Sequence, residues 1–309
     1  MITSVFKKST PLNYASVAIL MLLFFLLYQF TRLSPLNTIV LIVQKVLIFL
    51  LLIVTLFIAN FVCKKNGFSK DSTYMIFFYS LYLLFFPSLF DTLKIVVTNV
   101  FLLLAFRRLL SLQSLKSTKE KIFDATLCIL IASIFQPWCI LFLILVYTAI
   151  IFHASNDYRN WLIPFFALLL VVIGFLVYHT FDPINIQDYW SNRFDTSFSL
   201  DYFTNDYQNL AFSLFMTVVL FFVVIMLLSY SNKPQLLRSS YKILFLYFTI
   251  AMTVFFISPN KSNDLLLFVF APMAILGTNA IELYQQRLKQ DLIFGVLILC
   301  SLFLFFSQL

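Results

Sequence analysis

The sequence has few of the residues with which soluble folds are built. Of its 309 residues only 11% are charged and four are glycine, whereas charged residues make up about 25% of an ordinary globular domain. So few charged side chains cannot cover a globule of this length, which excludes a soluble globular protein. A disordered chain is excluded as well, because disorder requires low hydrophobicity and high charge.

Cysteine and histidine are also scarce, and they are scattered. The chain has four cysteines and two histidines, and no two cysteines have the CxxC spacing. A zinc site needs three or four clustered ligands, so we expect no metal ion and no other cofactor. The sequence motifs of P-loop proteins, serine hydrolases and zinc proteases are missing too.

Hydrophobic residues are abundant instead: they make up 62% of the chain, and 40 of them are phenylalanine. A membrane-spanning helix needs about 20 mainly apolar residues, and the apolar runs here are continuous, unlike the alternating strands of outer-membrane barrels. The pattern predicts an all-α, polytopic transmembrane bundle that forms a single integral membrane domain over residues 1–309. The eleven predicted spans are 14–30, 39–62, 73–90, 92–106, 122–135, 138–152, 161–181, 210–229, 243–257, 265–283 and 292–306.

The fifth and sixth predicted spans form a tight hairpin around Gln136 and Pro137. Both are shorter than a full membrane crossing, so the sequence leaves open whether the 122–152 hairpin spans or is only partly inserted. Removing the pair would not change the orientation of the later spans, because the two crossings cancel.

The net charge of +8 indicates an orientation rather than a nucleic-acid partner. With the N-terminus in the cytoplasm, 16 of the 21 basic and six of the 13 acidic residues fall in cytoplasmic connections, giving +10. The outer connections hold five basic and seven acidic residues, giving −2. This is the bias expected of an inner-membrane protein, and it predicts a cytoplasmic N-terminus and a periplasmic C-terminus.

The longest polar stretch is the predicted periplasmic loop 182–209 between the seventh and eighth spans. It interleaves five aspartates with seven aromatic residues, a mixture typical of sugar sites, where carboxylates accept hydroxyl protons and rings stack on the sugar. Asp188 is accordingly a candidate catalytic residue, and Trp190 and Arg193 are candidate ligands for a substrate or lipid. The alternative is an interfacial loop without chemistry, because Trp and Tyr prefer the headgroup level.

Two further sites fall at the predicted outer surface. Asp91 and Lys94 lie three residues apart where the fourth span begins, so they can pair on one helix face. An ionisable group near the membrane suggests function, which makes Asp91 a candidate catalytic residue and Lys94 a candidate ligand residue, although a boundary ion pair is the alternative. Lys261 lies in a polar turn and could bind a lipid phosphate, or the turn could simply join two helices.

Two polar residues near the helices have structural interpretations. Asn99 lies deep in the fourth span, where interhelical hydrogen bonding is the commonest use of asparagine. Asp124 lies three residues after Lys121, and we expect the two to pair near the inner surface.

Four stretches of the chain resemble an uncharacterised multi-pass inner-membrane family of Bacteroidota. The resemblance covers nearly the whole chain and implies a location in the cell inner membrane, but it implies no chemistry because that family is a domain of unknown function. The stretches are MITSVFKKSTPLNY at the start, AFRRLLSL at 105–112, DYRNWLIP at 157–164 and PNKSNDLLLFVFAP at 259–272.

The chain also has a remoter likeness to the GT-C superfamily of polyprenyl-phosphate-sugar glycosyltransferases. The number of spans, a Pro-ended third span followed by one ending in Arg107 and Arg108, and the late polar turn before residues 270–274 are similar. The likeness implies a polyprenyl-phosphate lipid partner and a catalytic acid in the first outer loop. Here that loop, 31–38, contains no acid, so Asp91 or an acid of the 182–209 loop would have to replace it.

Three functions therefore compete. The first is a non-catalytic inner-membrane component or assembly partner of a cell-envelope complex, which would bind other membrane proteins as well as the lipid bilayer. The second is a GT-C-like handler of polyprenyl-linked glycans, either active or inactive. The third is a transporter, for which the sequence lacks both charges at mid-membrane and internal repeats.

Overall fold

The computed structural model describes residues 6–31, 39–70, 72–155, 157–181, 206–259, 261–284 and 286–309. The regular structure in these ranges is helical and includes no strand, so the all-α prediction is confirmed. The α-helices described are α1 (Pro11–Thr31), α2 (Ile39–Lys65), α3 (Tyr74–Phe85), α4 (Leu93–Leu110), α5 (Thr118–Phe135), α6 (Leu143–His153), α7 (Arg159–Phe181), α8 (Asp206–Ser229), α9 (Gln235–Ile257), α10 (Leu267–Leu283) and α11 (Arg287–Gln308).

These eleven helices follow the order of the eleven predicted spans, but they are not equal in length. Eight segments of the described residues are long and apolar enough to cross a membrane, namely α1, α2, α4, α7, α8, α9, α10 and α11, some with short extensions. Helices α3 and α6 are shorter, and the first turn of α5 is charged.

Helices α3 and α10 form the centre of the bundle. Every residue of α3 is buried, and so is the whole apolar window of α10. The two helices pack on each other, and α1, α2, α4, α8, α9 and α11 contact one or both of them. A helix that is apolar on all sides must be enclosed by protein or lipid, and these two are enclosed by protein.

Two of the helices end at a proline. Pro87 and Pro137 each hold the preceding residue outside the helical conformation and begin a 3₁₀ helix, Pro87–Asp91 and Pro137–Phe142, because proline lacks an N–H and disfavours a helical residue before it. Helix α3 alone is about 18 Å long at 1.5 Å per residue, short of the roughly 30 Å hydrocarbon core. The 3₁₀ helix continues its path, and such a break is tolerated where protein surrounds it.

Polar contacts join the connections between helices into two groups, one at each end of the bundle. We call them the Asp91 end and the Glu282 end, after the acid at the centre of each. The connections predicted to be periplasmic contact one another at the Asp91 end, and those predicted to be cytoplasmic contact one another at the Glu282 end. Contacts at the Asp91 end include Tyr28–Asp91, Ser88–Asp264, Gln136–Ser258 and Asn263–Gln208. Contacts at the Glu282 end include Ser72–Glu282, Arg108–Asp124, Lys119–Asp157 and Lys233–Asn279.

Candidate functional site

The candidate site at the Asp91 end is built around the carboxylate of Asp91. Lys45 of α2 forms an ion pair with Oδ1 of Asp91. Tyr28 Oη donates a hydrogen bond to Oδ2 over 3.2 Å, and Gln29 Nε2 donates to Oδ1 over 3.3 Å. Three donors from two other helices therefore converge on one carboxylate.

The local structure explains how Asp91 reaches these donors. Pro87 starts the 3₁₀ helix that ends at Asp91, and the ring of Phe90 in the same helix packs against Tyr28 with 5.6 Å between centroids. The Tyr28 side chain is fully buried, which fixes its hydroxyl. The side chains of Lys45 and Asp91 are 26% and 35% exposed, so the pair lies at a boundary rather than in the core.

No ion pair between Lys94 and Asp91 is found among the described residues, so the boundary ion pair offered as the alternative for these two residues is wrong; Asp91 pairs with Lys45 instead. That prediction assumed one continuous helix, in which residues three apart share a face. Asp91 instead ends the 3₁₀ helix, Thr92 is non-helical, and α4 begins at Leu93. The change of helical phase leaves Lys94 exposed. Lys45, which forms the ion pair with Asp91, lies 46 residues before it.

A second carboxylate at this end, Asp264, is more deeply buried than Asp91. It is 7% exposed and accepts a hydrogen bond from Ser88 Oγ. The neighbouring Asn263 Nδ2 donates to the backbone carbonyl of Gln208 over 2.9 Å. Ser88 and Asp264 were not predicted as partners, because they are 176 residues apart and no local sequence pattern signals the contact.

The cavity beside these residues is small. A cleft of about 130 Å³ is lined by Pro87, Ser88, Tyr207, Gln208 and the residues 307–309. Sites for sugars or other small molecules are usually about 300 Å³ or larger. As formed by the described residues, this cleft is therefore smaller than a usual small-molecule site.

Four further residues were predicted as site residues. Asp188, Trp190 and Arg193 lie outside the described residues, as does nearly all of the predicted 182–209 loop. Lys261 lies at the Asp91 end, half-buried in the connection before the 3₁₀ helix Asn263–Leu266. Its predicted lipid-binding role stays a prediction.

The Glu282 end holds a second polar network. The carboxylate of Glu282 accepts hydrogen bonds from Ser72 Oγ (2.7 Å) and from the backbone N–H of Lys70 (3.0 Å), which joins α10 to the connection before α3. Nearby, Asn279 Oδ1 accepts from Lys233 Nζ and Tyr241 Oη, each over 2.8 Å. Burial lowers the pKa of Lys233, and the negative charge of Glu282 opposes that shift.

The two predictions for polar residues within the helices, Asn99 and Asp124, have opposite outcomes. Asn99 Nδ2 donates to Tyr79 Oη of α3 over 3.0 Å, so the expected interhelical hydrogen bond is confirmed. The expected pairing of Asp124 with Lys121 is wrong. Asp124 instead pairs with Arg108 over 2.9 Å, while Lys121 Nζ donates to the Ser111 carbonyl and to Ser114 Oγ, each over 2.8 Å.

The chemistry open to Asp91 in this arrangement is limited. Its two oxygens already accept hydrogen bonds from Lys45, Tyr28 and Gln29, so few lone pairs are left to act as a general base. Within the described ranges, no three His, Cys, Asp or Glu side chains lie close enough to hold a metal ion. The arrangement fits a structural acceptor that ties α1 and α2 to the start of α4.

The fold and these boundary clusters point to a class. The described residues form eight apolar helices of spanning length, with polar networks at both ends of the bundle, which are the features of a multi-pass membrane protein. The chain belongs to a family of unknown function, DUF6427, whose model matches residues 9–309. The expected membership of an uncharacterised family is thereby confirmed. No curated protein and no solved structure is similar enough to match the chain.

Proposed function

We propose that the protein is a non-catalytic component or assembly partner of a cell-envelope complex, held in the inner membrane with its Glu282 end in the cytoplasm. The observation that carries the proposal concerns two of the described acids at the periplasmic end. Asp91 and Asp264 both accept hydrogen bonds from the bundle's own donors. Carboxylates engaged in this way hold helices together and are poorly placed to act on a substrate.

Helix α7 supplies the surface for a partner in this proposal. Only 11% of its span is buried, the smallest share among the eight candidate spans, and it joins the bundle mainly through α5. Phe165 and Phe166 are 62% and 64% exposed on it. Van der Waals packing is a main source of affinity between helices in lipid, and aromatic residues are enriched in protein interfaces.

Site-specific photo-crosslinking tests the partner directly. A photoreactive amino acid at Phe166 should give a discrete protein adduct in native membranes. The matched control is Leu299 of α11, which is similarly exposed at 71% but lies on another helix. Adducts with lipid alone at Phe166, or the same protein adducts at both positions, would contradict a partner on α7.

The second candidate function is a GT-C-like handler of polyprenyl-linked glycans, and one observation favours it. Enzymes of that superfamily carry their catalytic acid in the first outer loop, which here has none. The structure brings Asp91 to the end of α1, where that loop begins, through Tyr28 and Gln29. Asp91, which belongs to the next outer connection, therefore lies near the loop in which those enzymes carry their catalytic acid.

Envelope glycans separate the two functions. In cells whose only copy carries Asp91→Asn or Asp188→Ala, we expect glycan profiles like those of the wild type, provided that the variants accumulate in the membrane normally. Loss of a glycan in either variant, with normal accumulation, would support the enzyme instead. Deletion of the gene gives the reference profile.

A further inference from the structure

The cytoplasmic ends of α2 and α4 and the start of α5 enclose a cavity that the proposed function does not use. Its volume is about 450 Å³, within the range of small-molecule sites and more than three times that of the cleft beside Asp91. It lies at the Glu282 end of the bundle. The turn 111–117 between α4 and α5 closes one side of it.

The residues that line this cavity carry charge of one sign. Four of them are cationic, Lys65, Arg107, Arg108 and Lys121, and none is a carboxylate. The ion pair of Arg108 with Asp124 neutralises one of the four. Serine, asparagine and glutamine side chains make up most of the remaining lining and add hydrogen-bonding groups.

The cations are held close together rather than spread over the surface. The guanidinium of Arg107 lies 4.6 Å from the centroid of the Phe61 ring, and Lys65 Nζ lies 5.2 Å from the same centroid. Lys121 is only 8% exposed, and its hydrogen bonds to Ser111 and Ser114 fix its ammonium at the cavity wall.

An excess of basic residues on the cytoplasmic side is explained by topology alone, but their convergence on one cavity is not. Like charges this close repel one another, and the repulsion is relieved when an anion lies between them. Arginine is suited to phosphate in particular, because its planar guanidinium donates two parallel hydrogen bonds to phosphate oxygens. Basic pockets between helices on the cytoplasmic side also bind lipid headgroups.

We propose that this cavity binds a phosphate or pyrophosphate group, with Arg107 and Lys65 as the principal ligands and Lys121 as the buried charge behind them. The group belongs either to a soluble phosphorylated metabolite or to the headgroup of an anionic lipid. The chemistry of recognition is the same for both sources, so the source is decided by experiment.

The test uses the purified full chain and two probes. Inorganic pyrophosphate is titrated calorimetrically into the protein in phosphatidylcholine nanodiscs. Phosphatidic acid binding is measured by native mass spectrometry in detergent, against phosphatidylcholine of the same acyl chains. The site variant is Lys65→Gln/Arg107→Gln, and the matched control is Arg287→Gln/Lys289→Gln, which removes the same two charges from exposed positions at the same end.

We expect the site variant to bind one of the probes at least about tenfold more weakly than the wild type, and the control variant to bind it normally. Loss of pyrophosphate binding assigns a soluble ligand, and loss of the preference for phosphatidic acid assigns a lipid. If the double variant fails to fold, Arg107→Lys is used in its place. Lysine keeps the positive charge but cannot donate two parallel hydrogen bonds to a phosphate. The proposal is overturned if the wild type binds neither probe, or if the site and control variants bind equally.

Discussion

Asp91 is the residue on which the structural and catalytic interpretations of this protein differ. As a general base it would need a free lone pair directed at a substrate. Its oxygens instead accept from Lys45, Tyr28 and Gln29. The structural interpretation therefore predicts that Asp91 contributes to stability, and that its contribution depends on Lys45.

A double-mutant cycle tests that dependence. Asp91→Asn should lower the free energy of unfolding by about 1–2 kcal/mol, because the ion pair is only partly exposed and the hydrogen bonds to the carboxylate are weakened. Lys45→Met should have a comparable effect, and the double variant should lose less than the sum of the two, as expected for groups in contact. Thermal unfolding in detergent measures the effects. Additive losses would show that the pair does not couple.

At the Glu282 end of the bundle, Asn279 is the acceptor that joins several parts of the chain, as Asp91 does at the Asp91 end. One oxygen, Oδ1, accepts from both Lys233 and Tyr241. Asn279→Leu should lower the stability by about 2–4 kcal/mol, because it leaves two partly or fully buried donors without an acceptor.

Tyr241→Phe removes only one of these two bonds and should cost about 1 kcal/mol. Asn279→Asp keeps the acceptor beside Lys233 and should cost less than Asn279→Leu. Equal unfolding temperatures for Asn279→Leu and the wild type would rule out a structural role for the network.

The contacts made by these residues were only partly predictable from the sequence. Asn99 could be assigned an interhelical hydrogen bond because a polar group deep in an apolar run has few other uses. The partners of Asp91 and Asp124 could not be assigned, since they come from other helices and the nearby lysines were the only visible choices. The sequence contains Pro87, but it does not indicate the change of helical phase that the structure has between Asp91 and Lys94.

At the scale of the element, a tight contact between helices occurs at a glycine of α10. A Cβ atom added to Gly277 would lie 3.3 Å from two ring atoms of Phe222 on α8 and 3.4 Å from Phe78 on α3. Gly277→Val should therefore overpack the centre of the bundle and cost about 1–3 kcal/mol.

Gly295 of α11 provides the matched control, because a Cβ atom there would meet nothing within 4 Å. Gly295→Val should leave the unfolding temperature nearly unchanged. Equal destabilisation by the two substitutions would show that the loss does not come from packing at Gly277.

The start of α7 has a pH-dependent contact. Asp157 Oδ1 accepts from the backbone N–H of Arg159 over 3.0 Å, and Lys119 lies 3.5 Å from Oδ2. The hydrogen bond from Arg159 and the charges of Lys119 and Arg159 lower the pKa of Asp157.

A lowered carboxyl pKa contributes stability above the unfolded-state value of about 3.9, and this contribution is lost as the pH falls through the folded-state pKa. The wild type should thus be more stable than Asp157→Asn at neutral pH. The difference should shrink as the pH falls below about 4. Unfolding temperatures measured across this range check the trend, and a difference that grows in acid would contradict it.

Elements could be predicted from the sequence more fully than their arrangement. The continuous apolar runs predicted eleven helical segments, and the described α-helices follow them in order. The central positions of α3 and α10 could not be predicted, because a helix that is apolar on every side carries no face to indicate its neighbours. The predicted ninth span was too short, since α9 begins at Gln235, eight residues before the first strongly apolar run.

For the whole molecule, we propose that the chain crosses the inner membrane eleven times, with its Glu282 end in the cytoplasm. The charge bias of the sequence and the grouping of polar contacts at two ends both support it. Helices α3, α5 and α6 are not among the eight long apolar segments. If the chain crosses the membrane fewer than eleven times, these are the helices that do not span it.

Accessibility of single cysteines tests this claim most directly. The native Cys63, Cys128, Cys139 and Cys300 are first replaced, and cysteines are then introduced one at a time at positions on either side of α4 and of α10. A membrane-impermeant maleimide applied to intact cells should label Lys94→Cys and Lys261→Cys. It should label Lys116→Cys and Lys289→Cys only after the membrane is permeabilised. Labelling of Lys94→Cys and Lys116→Cys from the same side would contradict the alternation and the orientation together.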